Sequence, residues 1–187
     1  MMNTSEPTSD GETSAGEPAE PPQPDPGLDS RDGLEIFDRT RRLDPVETEL
    51  LVDALRALLE LVGRPCRRFT VEIVDDARMC LLHSRWHDDP TTTDVLTFPM
   101  SDPGEPIDAD VACCLDEAER RAGALGHDRA RELVLYALHG LLHVLGHDDH
   151  EAAAFRRMHA EEDRLLEAVG LGALFAPGSA PVDEEDS

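Results

Sequence analysis

The stretch that most limits what this chain can become is HDRARELVLYALHGLLHVLG, residues 127–146. Beyond its polar opening and two later histidines it is almost wholly apolar. A helix of that composition has no face to offer to water, so it must lie at the centre of a fold. Asp128 stands where an N-cap belongs, and Gly146 stops the helix. His139 and His143 are four residues apart, which at 3.6 residues per turn puts them on one face, about 6 Å apart along the axis. His147, Asp148, Asp149 and His150 follow in the turn after Gly146.

Two imidazoles at that spacing can be core residues, each bonded to a backbone carbonyl. Among so many apolar neighbours each would then need its own buried partner. One shared metal ion satisfies both, and this is the spacing by which a helix offers two ligands to one ion. A third ligand from the turn would leave a position open, as catalytic zinc requires.

The rest of the chain frames that helix. Residues 1–33 are Pro, Ser, Glu, Asp and Gly with almost no large apolar side chain, and cannot offset their ordering entropy; they are expected to form a disordered acidic tail. Residues 176–187 are expected to do the same, leaving one folded domain over 34–175. The net charge is −24. An acidic chain argues against a tight, non-specific nucleic-acid binder, whose affinity comes from phosphate neutralisation, but it leaves room for a local basic groove. Cys66, Cys80, Cys113 and Cys114 form no CxxC pair. With no signal peptide and no membrane-spanning apolar run, they are expected to be reduced and buried in a cytoplasmic protein.

The remaining elements read in order. LDPVETELLVDALRALLELVG is a helix with Asp44 as N-cap, Pro45 at its first position and Glu47 completing a capping box. RRFTVEIVDD alternates as a strand, DARMCLLHSRW is a short helix, and TDVLTFP and ADVACCL are strands. DEAERRAGALG is a helix with Asp116 as its cap, and HEAAAFRRMHAEEDRLLEAVG is a last amphipathic helix. Early strands and late helices predict an α+β fold: a small mixed sheet packed with helices, the metal site on the long central helix and the turn after it.

His139-Gly-Leu-Leu-His143-Val-Leu-Gly146-His147-Asp148-Asp149-His150 resembles the signature of the YbeY family of bacterial endoribonucleases, the rRNA maturation factors. That signature runs His-Gly-x-x-His-x-x-Gly-(aromatic or His)-Asp-His. Thr93 to Pro99, TDVLTFP, resembles the family's Thr-Asp-Val-Leu-Ser-Phe-Pro strand. Asp108 to Ala112 sits where the family has Gly-Asp-Ile-x-Ile. The likeness runs from about Leu43 to Gly170. It implies a compact α+β domain holding one zinc ion (Zn2+) through three histidines. It also implies cleavage of single-stranded RNA in maturing the 3′ end of small-subunit rRNA, and a part in ribosome quality control. The implied partners are rRNA and the small ribosomal subunit, with no DNA and no membrane.

Carried over residue by residue, the ligands are His139, His143 and His150. The family places its third histidine six residues after the second, whereas His150 is seven after His143, so the assignment puts one extra residue in the turn, where a loop absorbs it. His147 and Asp149 are the rivals, Asp149 at the uninserted spacing. The family's arginine before TDVL falls on His87, and the nearest arginine is Arg85. These two are the catalytic candidates, since an arginine there would clamp a phosphate; a solvated helix end is the plain alternative for Arg85. Gly140 stands where HExxH metalloproteases carry a glutamate, which counts against peptide hydrolysis. Activation of water would then rest on the metal, helped by Asp148 or Asp149.

Trp86 is expected to pack in the core rather than stack a base. Arg64, Arg67 and Arg68 either follow an RNA backbone or balance nearby carboxylates, and His159 reads as a surface residue. A ribosome-assembly factor with a structural metal is the competing reading, and it would need a fourth protein ligand. A zincin-type protease is a third.

Overall fold

Each strand sorts its side chains between two faces, and that sorting decides where helices can sit. The computed structural model describes residues 33–173, so the expected tails lie outside the described residues but for Gly33. In chain order the elements are β1 (Leu34–Asp38), α1 (Pro45–Leu61), β2 (Cys66–Val74), α2 (Asp76–His87), β3 (Val95–Pro99), β4 (Ile107–Cys114), α3 (Leu115–Leu125), α4 (Arg129–Val144) and α5 (Ala152–Ala168). One sheet runs β1-β2-β4-β3, with β1, β2 and β4 parallel and β3 antiparallel to β4. The α+β class and the mixed sheet are as the sequence predicts.

On one face Leu34, Ile36, Phe69, Val71, Ile73, Ala109, Val111 and Cys113 pack against α1, α3 and α4. On the other, Val74, Leu96, Ala112 and Cys114 meet Met79 of α2, with Leu82 and Phe98 beside them. Helices α2 and α4 therefore lie on opposite sides of the sheet.

Helix α4 is as central as its composition demands, buried without a break from Glu132 to Leu138. Gly140 sets how closely it rides on the sheet. A Cβ there would stand 2.7 Å from Thr97 Oγ1 and 3.1 and 3.2 Å from the two Val111 methyl carbons.

Local chemistry sets most helix starts. Asp44 accepts from Val46 and Glu47 backbone N–H groups while Glu47 reaches back to Asp44, the predicted capping box. Three points depart from expectation. Asp116 does not cap α3: the helix leaves β4 without an intervening turn, Cys114 holds the cap position, and the Asp116 carboxylate accepts from Asp76 N–H and Arg42. Strand β1 was not anticipated. Cys113 and Cys114 are buried as expected, but Cys66 and Cys80 are only half-buried, and all four are free. No helix among the described residues is long and apolar enough to cross a membrane.

Candidate metal centre

Gly146 takes φ 96°, a left-handed value that lets the chain leave α4 abruptly. The turn that follows folds back over the helix face carrying His139 and His143, before α5 begins at Ala152.

Both imidazoles are held from behind. His139 Nδ1 donates to Glu162 Oε1 at 2.7 Å, and His143 Nδ1 donates to the His147 backbone oxygen at 3.2 Å. With Nδ1 as the donor, a neutral imidazole carries its lone pair on Nε2. The two Nε2 atoms face each other at 3.0 Å, the rings edge to face. Asp149 Oδ2 lies 3.5 Å from His139 Nε2 and 3.9 Å from His143 Nε2.

Two lone pairs and a carboxylate aimed at one point form a donor set that could hold a metal ion. A tetrahedral zinc with bonds of ~2.0–2.1 Å sets its ligand atoms about 3.3 Å apart, so the three separations fit a single ion. The same surroundings hold the His139 pKa above its ordinary value. Burial works against the charged ring, but the Glu162 hydrogen bond and charge, with Asp149 and Asp94, outweigh it.

The other candidates lie elsewhere. His150 is not brought to the pair: its ring is 85% exposed and bonds Asp148, with Asp149 Oδ1 3.7 Å away. The residue six after His143, at the uninserted spacing, is the one that reaches the imidazoles. His147 serves the site through its carbonyl. Arg85 and His87 are exposed at the end of α2, across the sheet from α4. There the Arg85 guanidinium sits 5.5 Å from the Trp86 ring and His87 leans on His83.

Trp86 is 59% exposed and tilts against Phe98 at 5.6 Å, so the expected core packing is not found. Only Met79 of α2 is buried, and its last turn stands clear of the core. Arg67 and Arg68 pair with Asp108, and Arg68 also with Asp110, which is the charge-balancing reading. His159 is not a surface residue. Its side chain is 17% exposed, packed edge-on to Phe155 and bonded through Nδ1 to Glu162 Oε2 at 2.5 Å.

Glu162 is the residue that sequence reading missed. It is fully buried. The signal was a carboxylate on the apolar stripe of the last helix, level with Met158 and Leu165, where a charge needs a buried partner. Gly140 also gains a structural meaning. A Cβ there presses on Thr97 and Val111, so the position takes a larger residue, such as the glutamate of a metalloprotease, only if they shift.

A mixed four-stranded sheet under a central His-x-x-x-His helix, its imidazoles converging with a carboxylate from the next turn, defines a small α+β domain with a candidate metal centre at the end of that helix. The chain belongs to the YbeY endoribonuclease family, whose sequence model, Endoribonuclease YbeY, matches residues 39–170. The proteins named Endoribonuclease YbeY from Mycobacterium bovis and Mycobacterium tuberculosis are each 36% identical to it over 155 residues, 77% of this chain and 88% of theirs. That of Mycolicibacterium paratuberculosis is 35% identical over 136 residues, covering 67% of this chain and 77% of its own. The solution structure of TM1509 from Thermotoga maritima shares the fold, with a TM-score of 0.53 and 20% identity over 72% of this chain and 90% of that one.

Proposed function

We propose that this chain is a zinc-dependent endoribonuclease that cuts single-stranded RNA, acting in the cytoplasm on the 3′ end of small-subunit rRNA and in ribosome quality control. Membership of the family supports the reaction class. The observation that carries the metal is the convergence of the His139 and His143 Nε2 atoms with Asp149 Oδ2. We assign His139, His143 and Asp149 as the ligands, with His150 one residue beyond the third. When bound, zinc supplies Lewis acidity and a lowered pKa for water. A zinc ion held by these three groups would keep a fourth position for water or substrate, the arrangement of catalytic rather than structural zinc.

The chain's own side chains supply the rest. Asp148 is held below the usual carboxylate range by its hydrogen bonds from His150, and so stays ionised beside Asp149. Arg85, Trp86 and His87 present a cation and an open aromatic face at the end of α2. Their position across the sheet suits RNA flanking the cut, with a base stacked on Trp86, better than the scissile phosphate itself. On this reading Arg85→Ala weakens RNA binding and leaves the cleavage rate at saturation unchanged.

The test is zinc content by mass spectrometry together with cleavage of a single-stranded RNA, for wild type, Asp149→Ala and His150→Ala. One zinc per chain is expected in wild type, lost along with cleavage in Asp149→Ala and kept in His150→Ala. Loss only in His150→Ala would return the third ligand to His150. Zinc retained without any RNA cleavage would favour the assembly-factor reading. No transition metal in the wild type would sink the proposal.

A further inference from the structure

Among the described residues, Glu162 is the one buried carboxylate whose two oxygens are both spent on histidines: Oε1 on His139 Nδ1 at 2.7 Å and Oε2 on His159 Nδ1 at 2.5 Å. It sits on α5, and His139 sits on α4. A buried carboxylate is costly unless its hydrogen bonds are made. Glu162 stands where an apolar residue would pack α5 against α4 at no such cost.

Its position gives the cost a purpose. An imidazole ring can present either nitrogen, and a ligand is useful to a metal only if the correct one is bare. A strong acceptor at Nδ1 keeps the proton there and leaves Nε2 free. The acceptor also fixes the ring's rotation, which keeps Nε2 3.0 Å from its partner on His143. His143 obtains the same service from a backbone carbonyl, so His139 alone depends on a side chain from another helix. His159, pressed edge-on against Phe155 at 3.9 Å, holds the far oxygen and stops the carboxylate from turning.

We propose that Glu162 is a positioning residue for the metal centre, fixing the tautomer and orientation of His139, with His159 steadying it from the other side. This rests on the metal reading above. Because it concerns which nitrogen of His139 is bare, it can be tested without RNA and, in part, without metal.

The experiment compares the full-length wild type with Glu162→Gln, Glu162→Leu and His159→Phe. Three readouts are taken: zinc affinity by competition with a chromophoric chelator, the His139 tautomer in metal-free protein by nitrogen-15 NMR above the imidazole titration range, and the melting temperature of the metal-free protein. Glu162→Gln keeps an acceptor oxygen and should stay within a few-fold of wild-type affinity, with the Nδ1–H tautomer retained. Glu162→Leu should bind zinc roughly 10- to 100-fold more weakly, with a mixed tautomer and no loss of melting temperature. His159→Phe should fall between them. If Glu162→Leu fails to fold, His159→Phe carries the test through its tautomer and affinity. Wild-type affinity and tautomer in Glu162→Leu, or in His159→Phe where the leucine variant does not fold, would overturn the inference while leaving the metal reading intact. A wild type that binds no zinc would overturn both.

Discussion

Asp76, the first residue of α2, joins three parts of the molecule through one carboxylate. It receives Arg120 of α3 in a two-pronged pair at 2.7 and 2.8 Å, and it also receives the Thr92 hydroxyl and the Cys114 thiol. The Arg120 hydrogen bonds hold its pKa far below the usual carboxylate range. A carboxylate depressed by folding stabilises the native state above its unfolded pKa, here near 3.8, and that contribution fades as the pH falls toward the folded value. Urea midpoints of wild type and Asp76→Asn should therefore differ at pH 7, with the gap starting to narrow below about pH 4 and closing only as the pH nears the far lower folded value. An equal gap at every pH would show that the pairing is not what Asp76 contributes. Its neighbour Cys114 moves the other way, its thiol raised by burial to about 11. Native protein treated with iodoacetamide at pH 8 should leave Cys114 unmodified, and unfolding should expose it. At this scale the sequence was legible where spacing alone decides, as with His139 and His143. The third position, proposed above as Asp149, turns on how the segment after Gly146 folds back, which spacing alone does not fix: Asp149 lies toward the imidazole pair and the His150 ring is exposed.

The helices show the same division. Capping box, proline and stripe placed α1 to within two residues, because each signal is local. Strand β1 carries only five residues, LEIFD, a run too short to stand out by itself after the polar stretch before it. What makes it a strand is its parallel pairing with β2, from Leu34 against Phe69 to Asp38 against Ile73, some thirty-five residues away in sequence. Asp116 misled because an acid one residue into a helix resembles a cap, and only the fused β4–α3 junction shows that its oxygens are needed elsewhere. The packing of α4 on the sheet yields a sharper test. Replacing Gly140 by Ala gains ~1 kcal/mol of helix propensity. Against that, the new methyl meets Val111, which is locked in the core, and overpacking of this kind costs ~1–3 kcal/mol. A net loss of about 1 kcal/mol is expected in chemical denaturation, with zinc affinity weakened as α4 lifts away from the sheet. An unchanged midpoint would mean that Thr97 and Val111 yield freely.

Across the whole molecule, the larger hydrophobic core lies on one face of the sheet, a smaller one under α2 lies on the other, and β1 forms one edge. Leu34 and Ile36 are 1% and 0% exposed, so β1 belongs to the buried core. Removing residues 1–32 should leave the melting temperature within experimental error. Removing residues 1–38 strips out both buried side chains, each worth ~2–5 kcal/mol. That is enough to consume most of a typical ~5–15 kcal/mol stability, so this shorter chain is expected not to fold. A large drop from the first truncation alone would place the tail within the cooperative unit.

The close seat of α4 at Gly140 has a consequence for how the centre can change over generations. Two of its three proposed ligands take their positions from main chain pressed against a sheet, so they can scarcely be moved without disturbing the core. The third comes from a turn whose neighbouring side chains touch water, and a single codon there can exchange imidazole for carboxylate without repacking anything. A carboxylate is a harder donor than a histidine ring and broadens the set of divalent ions that such a site accepts. Metal selectivity can therefore drift in this lineage while the fold stays fixed.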